Sequence, residues 1–336
     1  MMKVALLSFW HVHAKDYARQ ASDHPETVIT AVWDEVAERG RQQAEALGVP
    51  FYEQLHELLA VPELEGVIVD APTSLHPEVI LAAARAGKHI FTEKVIALTS
   101  EACDEILVAV EKAGVKLTVS LPRLNMPFTQ VIQQMLRDGL LGDVTLIRTR
   151  LSHNGALPTE KEPNGWLPAH FFELEPTGGG AMTDLGCHPM VLARLFMGEL
   201  PDSVSASYGY VTGREVEDNA VAVLRWTNGA LAVVEAGFAT GTSHFFIEIH
   251  GTAGSVTYSK HDDRLQLRSA KLEGEAANRW HDVTEMPAPL PSAFEQWVDH
   301  VRSGTTAVEN IRLASDLTRL IEASNTSARS GSAVRL

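Results

Sequence analysis

The chain has 336 residues, 45% of them hydrophobic and 21% charged, with a formal net charge of -15 from 28 basic and 43 acidic side chains. That length supports two domains with ample cores, and an acidic balance with no basic stripe to offset it argues against nucleic-acid partners. No run nears the roughly 20 apolar residues of a membrane helix, the N-terminal apolar run is too short for a signal peptide, and Cys103 and Cys187 lack metal-type spacing, so a reduced, cytoplasmic protein is expected.

The first 120 residues alternate short β-branched runs with helix-like apolar spacing. Strands are expected over residues 3–7, 28–33, 66–70, 89–92 and 116–120, and helices over 14–21, 35–47, 77–86 and 100–113. Strict alternation means parallel crossovers and a doubly wound sheet of the Rossmann type. Gly48, Gly87 and Gly114 follow three of the helices, where a left-handed cap is wanted.

The pattern changes near Pro122. A helix over 129–137 leads to a strand from Val144, a long irregular loop over 153–180 and a helix that follows Asp184. Strands over 203–210, 220–226, 231–238, 245–250 and 255–258 then succeed one another without helices, and two helical stretches over 294–302 and 312–328 close the chain. Consecutive strands mean a largely antiparallel sheet. The expected α/β architecture is therefore a dinucleotide-binding Rossmann domain over 1–121, then an α+β domain with a large open sheet over 122–336. The second domain is expected to bind substrate and to pair copies of the chain into a homodimer or homotetramer, with the active site between the two.

Chemistry concentrates in a few places. The first strand-to-helix turn, where a dinucleotide pyrophosphate meets a glycine-rich loop, runs Ser8-Phe9-Trp10-His11-Val12-His13 and has no glycine; Trp10 stands where the closest approach is expected. His11 and His13 have the spacing of a metal pair, but no third ligand is evident and no metal is expected. Asp34, about 20 residues on, suits the adenosine ribose hydroxyls and equally a helix N-cap. Asp34-Glu35 without an immediate arginine favours NAD and disfavours NADP.

Ala71, Pro72, Thr73 and His76 follow the third expected strand at the carboxyl edge, where ligands gather, or simply form a turn into a helix. Glu93-Lys94 ends the next strand; the Lys94 ammonium would favour an alkoxide, and a solvated surface pair is the alternative. In Gly178-Gly179-Gly180-Ala181-Met182-Thr183-Asp184-Leu185-Gly186-Cys187-His188, Asp184 and His188 stand one helical turn apart, as a proton-transfer pair would. The same run also suits a glycine turn, a capping aspartate and a packed histidine.

Taken together, these segments resemble the Gfo/Idh/MocA oxidoreductases over nearly the full length. The resemblance extends through Ala86–Lys94, Gly178–His188, Glu217-Asp218-Asn219-Ala220, Asn228-Gly229-Ala230-Leu231 and Ile249-His250-Gly251-Thr252-Ala253-Gly254-Ser255. It implies NAD(P)-dependent oxidation of a sugar or cyclitol secondary alcohol, with Lys94 and His188 catalytic and Asp184 holding substrate. Ser8, Phe9, Trp10, His11, His13, Asp34, Ala71, Pro72, Thr73, His76, Glu93 and Lys94 would face the cofactor; Arg123, Asn125, Trp166 and His170 would line the substrate site. Val95 replaces the family's proline after the lysine, and Val191 replaces an acid common three residues after the histidine. Two other readings stay open: a glycoside-processing enzyme that recycles bound NAD, and a non-catalytic ligand-binding or regulatory protein, which the missing glycine turn favours.

Overall fold

Short apolar runs, most of them buried along the greater part of their length, make strands covered on both faces, and these open the chain. In the computed structural model, which describes residues 1–242 and 244–336, six of them form one parallel sheet. They are β1 (Met2–Leu7), β2 (Thr27–Trp33), β3 (Phe51–Tyr52), β4 (Gly66–Val69), β5 (His89–Thr92) and β6 (Leu117–Val119), in the order β3-β2-β1-β4-β5-β6. The crossovers carry α1 (Ala14–Asp23), α2 (Ala37–Leu47), α3 (Leu55–Leu59), α4 (His76–Arg85) and α5 (Ser100–Ala113). Strand order reverses between β1 and β4, and such a switch point opens a crevice at the strands' carboxyl ends. The two-residue β3 and five-residue α3 were not expected, being too short for periodicity to register.

After α6 (Pro127–Arg137) comes β7 (Val144–Ser152), the centre of a nine-stranded sheet. The long loop contains one short helix, α7 (Leu174–Thr177), and ends in a π-turn over Met182–Gly186 that runs into α8 (Cys187–Met197). Then follow β8 (Ser203–Gly209), β9 (Asn219–Arg225), β10 (Leu231–Gly237), β11 (His244–Gly251), β12 (Gly254–Ser259), β13 (Arg264–Ser269) and β14 (His281–Asp282). With β15 (Val334–Arg335) the order is β14-β13-β12-β11-β7-β10-β9-β8-β15. Among the described residues, the β7–β10 pairing is the only parallel one in this sheet. Burial alternates along β9, with Ala220, Ala222 and Leu224 inside, as in a sheet with one covered face. α8 packs on β7 and β10.

Two helices close the chain, α9 (Ala293–Ser303) and α10 (Val308–Ser330). They correct the expected single boundary after residue 121. The chain divides into one unit of Met1–Leu121 with Pro291–Thr318 and another of Pro122–Leu290 with Arg319–Leu336. The physical reason is apolar burial in the first unit: Phe294, Trp297 and Val298 of α9 join a core with Val4, Leu6, Ile68, Phe91 and Ala18. Trp297 is fully buried, and a Cβ built on Gly66 would lie 2.9 Å from its ring, so the glycine is what lets the indole reach the sheet.

Candidate active site

In the first unit, the β1–α1 turn forms without glycine. Ser8 adopts φ +78°, a left-handed conformation few side chains accept, and its Oγ accepts the Trp10 N–H at 3.1 Å. The His11 N–H donates to the Asp70 carbonyl at 3.1 Å and the His13 N–H to His11 Nδ1 at 3.2 Å. Trp10 and His11 are buried, whereas His13, the α1 N-cap, is half exposed and lies 3.5 Å from Asp16.

Phe9 is tied to the end of β2, where its N–H donates to Asp34 Oδ2 at 2.9 Å. Asp34 also accepts the Val36 N–H at 2.8 Å and two bonds from Arg39, Nε at 2.8 Å and Nη2 at 2.7 Å. No arginine adjoins Asp34 in sequence, but one reaches it in space. The two Asp34 oxygens thus accept four hydrogen bonds from the protein itself.

At the carboxyl end of β5 a hydrogen-bonded acid cluster surrounds Glu93. The Tyr17 hydroxyl donates to Glu93 Oε1 and lies 2.6 Å from Ser120 Oγ, while the Lys94 N–H donates to Glu93 Oε2 at 2.9 Å. Burial would raise the Glu93 pKa, yet the nearby His11, Lys94 and His13 and the Tyr17 bond hold it below the ordinary value. Glu93 is thus an ionised carboxylate beside a buried lysine, not half of a solvated surface pair. Burial and then the Glu93 charge push Tyr17 well up, so it stays a phenol.

Asp70, at the end of β4, is fully buried with no hydrogen-bond partner on either carboxyl oxygen, and burial followed by the Glu93 charge raises its pKa well above the usual range. Ala71, Pro72 and Thr73 are buried in the same segment. The His76 ring sits between two carbonyls, Nδ1 2.9 Å from that of Val95 and Nε2 3.1 Å from that of Ala71; burial lowers its pKa to about 4, so the neutral ring has one N–H and donates to one of them. It thereby bridges the segments that follow β4 and β5. The Lys94–Val95 peptide is cis.

In the second unit, Asp184 sits within the π-turn and His188 in the first turn of α8, so the simple one-turn α-helical spacing does not apply. His188 is buried, 9% exposed. The glycine run is clasped by Glu217, which accepts the Gly180 N–H at 2.8 Å and the Met182 N–H at 2.9 Å, while its carbonyl accepts the Ala181 N–H at 2.9 Å. A Cβ on Gly180 would fall 2.1 Å from the Glu217 carbonyl oxygen. Burial lifts the Glu217 pKa, and the two amides only partly offset it. Arg123 stacks over Phe245 at 4.1 Å, with its pKa lowered to about 10 by burial. Trp166 is half exposed and donates to Asn154 Oδ1 at 2.9 Å; His170 lies on a short turn beside Phe171, and the Asn125 carbonyl accepts the Leu290 N–H at 3.0 Å.

Sequence reasoning missed Tyr17, Arg39 and Ser120. Tyr17 was detectable as the fourth residue after His13, on the same helix face; nothing local marked the other two. Among the described residues, no group of three or more metal-ligating side chains is assembled, and no helix is long and apolar enough to cross a membrane.

The model of an oxidoreductase family with an NAD-binding Rossmann fold matches residues 9–121, and that of the GFO/IDH/MocA C-terminal domain matches 129–257. The 1,5-anhydro-D-fructose reductase of Ensifer adhaerens is 30% identical over 255 residues, 74% of each chain. The chain belongs to the Gfo/Idh/MocA oxidoreductase family. Another member it resembles is the myo-inositol 2-dehydrogenase of Thermotoga maritima, 29% identical over 216 residues, 62% of this chain and 61% of that one. Levoglucosan dehydrogenase in complex with NADH and L-sorbose has the same fold, with a TM-score of 0.82 at 21% identity over 99% of this chain and 98% of that chain.

The first unit is accordingly an NAD-binding Rossmann domain, and its residues fit that cofactor. Ser8 supplies the positive φ that glycine usually gives at this turn. The turn opens into the ten-residue α1 at the crevice beside β1 and β4, where helix N-terminal amides favour phosphate. At the end of β2, Glu35 Oε2 is buried without a protein partner.

Proposed function

We propose that this Gfo/Idh/MocA oxidoreductase interconverts a secondary alcohol of a sugar, cyclitol or sugar derivative with its ketone. Bound NAD would supply the hydride acceptor. Lys94 or His188 takes the hydroxyl proton, and Asp184 holds and orients the substrate. The observation that supports this reading best is the ionised, buried Glu93 beside Lys94 at the end of β5. A fixed anion there favours the lysine ammonium, a group suited to stabilising a developing alkoxide. The named reductase and dehydrogenase relatives support the substrate class.

Nicotinamide absorbance followed against a panel of sugars, cyclitols and sugar acids tests the proposal. A reactive substrate is expected, and Lys94→Ala and His188→Ala should each lower kcat about 100-fold or more while keeping the wild-type circular dichroism. Full rates in both variants would overturn the site assignment. Pairing of copies through the nine-stranded sheet belongs to the same proposal; light scattering on the purified chain should give a dimer or tetramer mass, and a monomer would refute it.

A further inference from the structure

The acid cluster at the carboxyl end of β5 contains a phenol that packing alone does not require. Tyr17 lies in the first turn of α1 with its ring edge-on to Phe91, centroids 5.1 Å apart, a contact that a phenylalanine would make equally well. Its hydroxyl is carried into the interior, which costs free energy unless partners are met there. Two are met: the hydroxyl donates to Glu93 Oε1 and lies 2.6 Å from Ser120 Oγ, and all three side chains are buried. An ionised Glu93 only accepts, so the phenol gives its one proton to the carboxylate, and Ser120 donates to the phenol oxygen. Ser120 is itself fixed beside β5, because its N–H donates to the Thr92 carbonyl at 2.8 Å. The chain Ser120 to Tyr17 to Glu93 thus runs in one direction, and each bond strengthens the next.

The other Glu93 oxygen accepts the Lys94 N–H at 2.9 Å. The carboxylate is therefore gripped at both oxygens, by α1 at one and by the backbone of Lys94 at the other. The titratable and charged groups around it are Tyr17 on α1, His11 and His13 in the β1–α1 turn, Asp70 after β4, His76 at the start of α4, and Lys94. Of the two acids, Asp70 holds its proton more tightly than an ordinary carboxyl and Glu93 less tightly, so Glu93 carries the charge.

We propose that Tyr17 is a positioning residue for Lys94: with Ser120 behind it, its hydroxyl fixes the Glu93 carboxylate where that anion faces the lysine ammonium. The inference rests on the reading of Lys94 as a proton-transfer residue and extends it to α1 and the end of β6.

Two measurements on the purified full chain test this. In steady-state kinetics with NAD and a reactive sugar or cyclitol, Tyr17→Phe should lower kcat about tenfold through misplacement of the reacting groups, and leave KM for the alcohol within about threefold. In carbon-13 NMR of the glutamate carboxyls, the wild-type Glu93 signal, assigned by its loss in Glu93→Gln, should stay at its ionised position down to pH 4.5, the ordinary carboxyl value. In Tyr17→Phe it should begin to titrate above that pH, a change that a purely structural role for the ring would not produce. An unchanged kcat or an unchanged Glu93 signal overturns the inference, and a rate lost in Lys94→Ala keeps the reading of Lys94 intact. Wild type turning over none of the alcohols overturns both. Should Tyr17→Phe fail to fold, Ser120→Ala decides: it should lower kcat about threefold and move Glu93 in the same direction, and no change in either overturns the inference.

Discussion

The β1–α1 turn and the glycine run before α8 use one device in two ways. In each, a buried carboxylate from elsewhere in the same unit accepts backbone amides of a functional loop: Asp34 holds Phe9, and Glu217 holds Gly180 and Met182. In the first loop glycine is dispensable, because a serine takes the left-handed conformation and hydrogen-bonds across the bend. In the second it is a steric necessity, because the loop backbone lies directly on the Glu217 carbonyl. The two anchors also differ in charge balance. Arg39 neutralises Asp34, while Glu217 is matched by amides alone and its proton is held more tightly than in water.

The largest effect should come from breaking the second loop. Gly180→Ala drives a methyl into the Glu217 carbonyl and should lower unfolding free energy by roughly 3 kcal/mol, measured by urea denaturation; a loss under about 1 kcal/mol would show that the loop yields. A smaller effect concerns Asp70, whose carbonyl steadies the first loop. Its folded pKa lies above the ordinary 3.8 because of burial and the Glu93 charge, so the folded chain keeps a proton that the unfolded chain releases. Its contribution to stability is therefore complete below 3.8 and declines as pH rises through the raised value. Asp70→Asn should flatten that decline in pH-dependent thermal melts, and an unaltered slope would refute the assignment.

The smallest effects separate the two roles of Ser8. Ser8→Ala retains the costly positive φ and loses the bond to the Trp10 amide, so a destabilisation of about 1 kcal/mol is expected. Ser8→Gly loses the same bond but relieves the backbone, leaving stability near that of wild type. Equal losses in both would mean that conformation plays no part in the first loop.

Much of this contrast could be seen in the sequence, and some could not. The parallel sheet was legible because β1, β4 and β5 are apolar runs separated by helices with a clear apolar face. Lys94 and His188 stood out through neighbours in the chain. Arg39 did not, since its partner Asp34 is joined to it by folding of the β2–α2 turn, and no periodicity marks such a pair. β13 escaped notice because its alternation is short, with only two buried leucines, Leu265 and Leu267, set among Arg264, Gln266 and Arg268. The destination of α9 was equally hidden: a helix's apolar face shows that it packs, never on which sheet.

That destination orders events during synthesis. The ribosome releases the six parallel strands first, yet Phe294 and Trp297, which fill their core, emerge only after eight of the nine strands of the second sheet. Domains made from one continuous stretch fold as they appear, whereas here the nascent nucleotide-binding half waits, its apolar face unsealed, for about 170 further residues to be translated.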